Sequence, residues 1–143
     1  MEKSKKIKNW SSFLIINPIL ILVLSLLFSC QKAPINGDLD GMWQVMEVSP
    51  PPKEILIEGR LYYNFSLHVC ALSCYGAGFT TGNMHYEGNL LTLDFPYAVS
   101  QENILKLKQY GINSNPVNFT VEYIDKNLLI LKDGDTTVTL RKF

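Results

Sequence analysis

Apolar and polar residues alternate along several stretches of the chain, which is the pattern of a β-strand with one buried face. Residues 61–68 carry Leu, Tyr, Phe and Leu at the odd positions, and residues 117–123 carry Val, Phe, Val and Tyr there. Shorter alternating runs follow at 91–95 and 137–141. We therefore expect a mainly β domain.

Turn-forming residues separate these runs at close spacing. They stand at 87–89 (Glu-Gly-Asn), at 125–127 (Asp-Lys-Asn) and at 132–135 (Lys-Asp-Gly-Asp). Asp-Gly between alternating strands is a strong hairpin signal, because glycine accepts a positive φ without strain. Short strands joined by such turns predict an antiparallel sandwich or barrel.

Residues 100–110 break the alternation and predict one helix of about 10 residues. Ser100 is a candidate N-cap of this helix, and Lys106 and Lys108 lie near the C-terminus of the helix. Gly111 suits the position that ends a helix in a left-handed turn. We expect this helix to lie over the sheet or to plug one end of it.

The first 29 residues have the pattern of a secretory signal peptide. Residues 1–8 carry four lysines against one glutamate, and residues 13–28 are an uncharged apolar run. A transmembrane helix needs about 20 apolar residues, whereas this run is shorter and contains Pro18. A membrane anchor and a plain signal peptide are the alternatives to the interpretation that follows.

The apolar run ends in Leu27-Phe28-Ser29-Cys30, which resembles the bacterial lipobox. Leu27 and Ser29 match its pattern, whereas Phe28 is bulkier than usual. The resemblance implies that residues 1–29 are removed and that Cys30 carries a diacylglyceryl thioether and an acyl chain such as palmitate. Several buried acyl chains anchor a protein stably, whereas one binds reversibly. The membrane is thus the first expected partner.

Residues 30–38, which include Pro34 and Gly37, predict a tether between the lipidated cysteine and the domain. Gln31 does not resemble the Asp that retains lipoproteins at the inner membrane, which favours the cell envelope's outer membrane. No acidic cluster of the kind associated with surface display follows Cys30. We expect the periplasmic leaflet, with the cell surface as the alternative.

Removal of residues 1–29 leaves 114 residues with nine Lys and Arg and twelve Asp and Glu, so the mature chain is weakly acidic. Nucleic-acid binding requires clustered basic residues, and none of these charges form a cluster along the sequence. A nucleic-acid partner is therefore not expected.

The domain opens with Gly41-Met42-Trp43 and closes with Lys142-Phe143. The first triplet looks like the Gly-x-Trp opening of lipocalins. Together with the lipobox, the single helix and the final strands, it resembles the lipocalin-like lipoproteins of Bacteroidetes over residues 39–143. The resemblance implies an up-and-down antiparallel lipocalin-like barrel with one short helix. Because 114 residues are few for eight strands, a half-barrel stays open as an alternative.

Seven aromatic residues are predicted to point inward from the strands. They have two interpretations, a solid core or the lining of a pocket, because a barrel of about eight strands is either filled by side chains or holds one small ligand. The Pro50-Pro51-Pro52 segment is either a loop at the barrel mouth or a linker between strands. The candidate pocket-lining residues are Trp43, Tyr63, Phe65, Tyr86, Phe95, Phe119 and Tyr123.

Cys70 and Cys74 remain once Cys30 is lipidated, and an even pair in an oxidising compartment predicts a disulfide. On one extended strand their Cα atoms would lie about 13 Å apart, whereas a disulfide needs roughly 4.4–6.8 Å. The bond therefore requires a turn at residues 71–73. Two buried free thiols are the alternative.

Other chemistry has little support. His68 and His85 with the two cysteines match no standard zinc spacing, and neither a Gly-x-Ser-x-Gly motif nor a cysteine–histidine pair with an orienting acid indicates a nucleophile. Asp133 and Asp135 fall in a predicted turn. We expect no enzyme, no metal and no cofactor.

Two functions remain. The first is a membrane-anchored lipoprotein whose domain binds a small apolar or amphipathic ligand. The second is a structural lipoprotein of the envelope whose outer face binds another protein or a glycan. The resemblance of fold places the first slightly ahead, although a fold alone is weak support for an activity.

Overall fold

The computed structural model describes residues 35–75 and 77–143. The predicted signal peptide, Cys30 and residues 31–34 of the predicted tether lie outside this range. The described part begins with a 3₁₀-helix at Gly37–Leu39. This helix spans the predicted boundary between the tether and the domain, because Leu39 belongs to the predicted domain. The chain continues with β1 (Gly41–Ser49), β2 (Leu61–Ser66), β3 (Val69–Cys74), β4 (Ala77–Glu87), β5 (Leu90–Asp94), α1 (Gln101–Gln109), β6 (Val117–Ile124), β7 (Leu128–Asp133) and β8 (Thr136–Lys142).

The strands form a closed antiparallel barrel in chain order. Each strand pairs with the next, and β8 pairs with β1, so that Trp43 lies opposite both Tyr63 and Lys142. The predicted up-and-down barrel with one helix is confirmed, and the half-barrel alternative is wrong. The barrel closes within so few residues because several strands are short, with only five residues in β5.

The strand and helix predictions hold closely at 117–124, 128–132, 136–142 and 100–110. The alternation predicted over 61–68 ends early. β2 stops at Ser66, and Leu67 adopts a φ of 56° in the turn to β3, with 49% of its surface exposed. Leu67 extended the alternation of apolar and polar residues by chance, although it belongs to a turn.

The barrel has two distinct ends. The 3₁₀-helix and the β2–β3, β4–β5 and β6–β7 turns lie at one end, which we call the closed end. The opposite end, which we call the mouth, carries the β1–β2 loop (residues 50–60), the short β3–β4 and β7–β8 connections, and the β5–β6 connection that contains α1.

Trp43 holds the closed end together. Its ring is fully buried, and its Nε1 donates a hydrogen bond to the Leu39 carbonyl at 2.8 Å. The ammonium of Lys142 lies 4.4 Å from the ring centroid and donates to the carbonyls of Asp38, at 2.8 Å, and Asp40. Burial lowers the pKa of Lys142, and the two nearby carboxylates oppose that shift. A cation over an indole face is attracted by the ring quadrupole.

Local capping signals delimit α1. The Ser100 hydroxyl accepts a hydrogen bond from the Asn103 amide at 3.1 Å, as an N-cap does. At the other end Gly111 adopts a φ of 81°, and the amide of Ile112 donates to the Leu107 carbonyl at 3.1 Å. This Schellman-type ending reverses the chain and buries Ile112. None of the described helices is both long and apolar enough to cross a membrane.

Gly111 and Gly88 offer a matched pair for testing this helix ending. Both have a positive φ, but an added Cβ would overlap Val138 Cγ2 at Gly111 and would meet open space at Gly88. We expect Gly88→Ala to lower the free energy of unfolding by about 1–2 kcal/mol through the left-handed backbone alone. Gly111→Ala should lose roughly a further 1–3 kcal/mol from overpacking.

Urea unfolding of both variants, followed by circular dichroism, measures the difference. Equal losses for the two variants would show that Val138 moves aside freely and that the core is not tightly packed at the helix end.

Candidate functional site

Most of the predicted pocket-lining aromatics form the core. Trp43, Tyr63, Phe65, Phe95 and Phe119 are all fully buried. The rings of Tyr63 and Phe65 pack on each other, with centroids 5.5 Å apart. They share the interior with leucines and valines from the other strands and with Met84 from β4. Ring packing of this kind favours the solid-core interpretation over an internal pocket.

The other two predicted residues lie elsewhere. Tyr86 is half-buried and packs against the edge of the core. Tyr123 is 47% exposed, and its hydroxyl donates to Asp125 at 2.8 Å, which raises the pKa of the phenol. A bulge between Val121 and Tyr123 shifts the register of β6 against β7 and turns Tyr123 outward. Its assignment to a pocket lining is wrong.

Tyr110, which follows α1, closes the mouth from inside. Its hydroxyl donates to the Ser73 carbonyl at 2.9 Å, and its own carbonyl accepts from the Tyr63 hydroxyl at 2.6 Å. Its ring stacks on Phe79 with centroids 6.0 Å apart. Desolvation, aided by neighbouring Cys70, raises the pKa of both tyrosines, so both phenols stay protonated donors. The strand pattern could not identify Tyr110, because it belongs to no strand.

Gln109 fastens the β1–β2 loop to the helix. It is a buried polar side chain. Its Oε1 accepts hydrogen bonds from the amides of Leu56 and Ile57, each at 2.8 Å, and its Nε2 donates to the Ile57 carbonyl at 3.2 Å. One amide side chain thus binds the loop backbone three times, as a neighbouring strand would.

A second contact holds the end of this loop. Gly59 has a φ of 120°, and any Cβ at this position would overlap the ring of Tyr75. Next to that ring, the Cys74 thiol donates to the Glu58 carbonyl at 3.6 Å. Glycine is therefore required where the loop passes beneath Tyr75. In the sequence, only Gly59 marks this contact, and a single glycine does not show that Tyr75 packs against it.

The structure contradicts the predicted disulfide. Cys70 and Cys74 are free thiols, and both belong to the continuous strand β3 without a turn at residues 71–73. Four residues of strand separate their Cα atoms by about 13 Å. Burial raises the pKa of the Cys70 thiol, which keeps it protonated and apolar.

The histidines and cysteines considered as a zinc set are not brought together. His68 lies exposed in the β2–β3 turn, and His85 is exposed on β4, with its Nε2 3.4 Å from Glu87. Cys70 is buried inside the barrel. Within residues 35–75 and 77–143, no group of three or more His, Cys, Asp or Glu is placed to hold a metal ion.

A groove of about 320 Å³ lies at the mouth, between the β1–β2 loop, α1 and the start of β8. This volume is at the lower end of the roughly 300–1,000 Å³ found for small-molecule sites. The lining combines apolar side chains with charged and polar ones. The lining residues are Val48, Pro50, Pro51, Pro52, Lys53, Glu54, Leu105, Lys108, Asn113 and Thr136.

The base of the groove is fixed by a hydrogen bond between side chains from separate elements. Asn113 Nδ2 donates to Thr136 Oγ1 at 2.8 Å. The three prolines stiffen the facing wall, because each fixes its own φ. Of the two interpretations of this segment, the structure supports a loop at the mouth. Because the groove is formed by backbone-restrained and hydrogen-bonded parts, it is preformed.

Comparison with known proteins connects this barrel to a family. A family model described as a lipocalin-like domain matches residues 23–143. The chain is similar to a lipocalin-like protein from Bacteroides uniformis, with 24% identity, a TM-score of 0.59 and coverage of 75% of this chain and 100% of that one. It is also similar to an uncharacterized protein from Bacteroides eggerthii, with 17% identity, a TM-score of 0.54 and coverage of 73% and 98%. No curated protein matches the chain. At these identities the solved structures show the fold alone.

Substitution of Gln109 tests how the mouth is held. We expect Gln109→Ala to speed amide hydrogen exchange at Leu56 and Ile57 by roughly two- to tenfold, because each lost hydrogen bond is worth about 0.5–1.5 kcal/mol. Gln101→Ala, on the exposed first turn of the same helix, is the control and should change neither amide. Unchanged exchange at both amides in Gln109→Ala would mean that other contacts hold the loop.

Proposed function

The chain belongs to the family of lipocalin-like domains, and from this membership we propose that it binds a small amphipathic molecule in the groove at the mouth of its barrel. The observation that carries the proposal is the preformed groove between the proline segment and α1. Lipocalin barrels are a binding fold in which the sheet supplies a rigid frame. Binding, and not catalysis, is the activity proposed.

Because side chains fill the interior of the barrel, the proposed binding site is at the mouth. Trp43, Phe95 and Phe119 are fully buried, and cores of this kind are packed about as densely as organic crystals. A guest inside the barrel would have to displace one of these rings, whose removal from a core typically costs about 3–5 kcal/mol. The groove can accept a ligand without that cost.

The composition of the groove favours an amphipathic ligand. Leu105 and the prolines offer apolar contact, whereas Lys53 and Lys108 stand at the rim with one acid, Glu54. Pockets of this type bind the apolar part of a ligand broadly and use a few polar groups to orient it. An apolar body with an anionic head group fits this distribution of charge best.

A second candidate function is an envelope lipoprotein that binds another protein or a glycan. The observation in its favour is the large exposed side chains on connections at the mouth end, among them Ile55 and Tyr75. Exposed aromatic residues are common in binding surfaces. This function and ligand binding use the same end of the barrel.

The proposal includes a lipid on Cys30 and a position on the periplasmic side of the outer membrane. Its support is the lipobox-like Leu27-Phe28-Ser29-Cys30 and the residue that follows, Gln31. Stable anchoring requires more than one acyl chain, which a diacylglyceryl cysteine supplies.

Replacement of one groove residue tests ligand binding. We expect Leu105→Glu to weaken binding of the amphipathic fluorescent probe anilinonaphthalene sulfonate about tenfold or more, equivalent to about 1.4 kcal/mol, because it removes apolar contact and repels the probe's sulfonate. Ile104→Glu, one residue away on the same helix but outside the groove, is the matched control. Fluorescence titration gives both dissociation constants.

Equal weakening by the two variants would show that the probe binds elsewhere on the helix. Native mass spectrometry of the secreted, never-denatured protein then searches for a natural ligand. A copurifying mass that Leu105→Glu loses supports the groove, and a mass that it keeps contradicts it.

Replacement of Cys30 tests the anchor. In a Gram-negative host fed radiolabelled palmitate, we expect the parent protein to carry label and to sediment with the membranes, whereas Cys30→Ser carries no label. Cys74→Ser controls for the loss of a cysteine, since its hydroxyl replaces the donor to Glu58, and it should stay labelled. A parent protein without label would reject the anchor, and a labelled Cys30→Ser would place the lipid on another residue.

A further inference from the structure

The start of the described chain is fastened to the closed end of the barrel. Asn36 Nδ2 donates to the Leu67 carbonyl at 2.8 Å and to Asp40 Oδ1 at 2.6 Å, and the Asn36 amide donates to the other carboxylate oxygen of Asp40 at 3.2 Å. Ile35 therefore lies beside the β2–β3 turn, and the chain leaves the barrel there.

Three large apolar side chains are exposed at this end of the barrel, and we call them the closed-end rim. They are Ile35, Leu67 and Phe143, with 61%, 49% and 68% of their surface exposed. Phe143 is held in place, because its amide donates to the Met42 carbonyl at 2.8 Å and its ring packs edge to face on Tyr62. Single exposed apolar residues are ordinary in soluble proteins. What distinguishes them is their position: Ile35 and Leu67 flank the exit of the chain towards Cys30, and Phe143 follows β8 at the same end of the barrel.

The length of the intervening chain sets a close limit. Cys30 stands five residues before Ile35. A fully extended chain spans at most about 3.3–3.6 Å per residue, so the lipidated residue can be no more than about 18 Å from Ile35. The interfacial layer of a bilayer is itself several Å thick on each side. A lipid on Cys30 would thus bring the closed end to the membrane surface.

We infer that the closed end rests on the bilayer, with the closed-end rim inserted into its interface, and that the mouth points away from the membrane. This inference rests on the proposed lipid at Cys30. Apolar side chains of surface-bound segments typically reach about 5–10 Å into the boundary between head groups and acyl chains. The ligand groove would then face the aqueous compartment and receive a ligand from water.

The charges at the closed end indicate which lipid is needed. Exposed Asp38 and Glu87 stand at this end together with exposed Lys126 and Arg141. Attraction to anionic lipids arises from clusters of basic residues, and here both signs are mixed. The contact is therefore mainly apolar, and it should form on zwitterionic lipids.

Site-specific fluorescence on the full lipidated protein tests this orientation. Leu67→Cys and Ile55→Cys are each labelled with an environment-sensitive nitrobenzoxadiazole group in phosphatidylcholine vesicles. Both positions are exposed aliphatic residues in connections, one at the closed end and one on the mouth loop. We expect a blue-shifted emission and several-fold stronger quenching by doxyl-labelled lipids at position 67 than at position 55. The parent protein, taken through the same labelling reaction, measures the background from the native cysteines. Cys70 is buried and Cys74 is half-buried.

The outcomes separate this inference from the anchor on which it rests. Absence of palmitate label in the parent protein rejects the anchor before any vesicle is used. A labelled, vesicle-bound protein with equal quenching at the two positions, or stronger quenching at position 55, overturns the orientation alone. Protection at position 67 that depends on protein concentration and not on doxyl lipid would show that a second copy covers the closed-end rim, which also overturns it.

Discussion

The pairing of the first strand with the last is the constraint on which the rest of the structure depends. β1 runs along β8 from Trp43 opposite Lys142 to Ser49 opposite Thr137. Closure leaves none of the eight strands with an unpaired edge. It also fixes the interior volume, and eight strands enclose a space that side chains can fill. Because Trp43 and its neighbours fill that space, the groove lies at the mouth and not inside the barrel. The position of the groove is therefore a consequence of how the barrel is closed and packed.

Most of the fold could be predicted because it depends on signals between neighbouring residues. The errors lie where the structure depends on contacts between residues far apart in the sequence. The strand at 117–124, the N-cap at Ser100 and the helix ending at Gly111 depend on neighbours within a few residues, so the sequence reports them directly. Tyr123 and the cysteine pair were misassigned for different reasons. The bulge that turns Tyr123 outward exists only in the pairing of β6 with β7. The disulfide required a turn within a segment that is paired as a strand with the neighbouring strands on both sides.

The candidate site was predicted only in fragments for the same reason. The proline segment was recognised as a possible mouth loop from composition alone. Leu105 and Thr136 had no local feature that marked them, because they meet the prolines only after the barrel closes and α1 folds over its end. Gln109 is the clearest case. A glutamine late in an amphipathic helix is ordinarily solvated, and only the tertiary structure shows its amide bound to the backbone at Leu56 and Ile57.

The two ends of the barrel are held by interactions of different strength, and this difference suits them to different roles. At the closed end a charged ammonium from Lys142 binds two carbonyls and an indole face, and hydrogen bonds to charged groups are worth about 1.5–3 kcal/mol. At the mouth, neutral amide bonds from Gln109 hold a loop that is largely exposed, and each is worth only about half as much. Binding loops are drawn from the parts of a fold with the lower local stability. The closed end therefore suits attachment, and the mouth, where an exposed loop borders the groove, suits recognition.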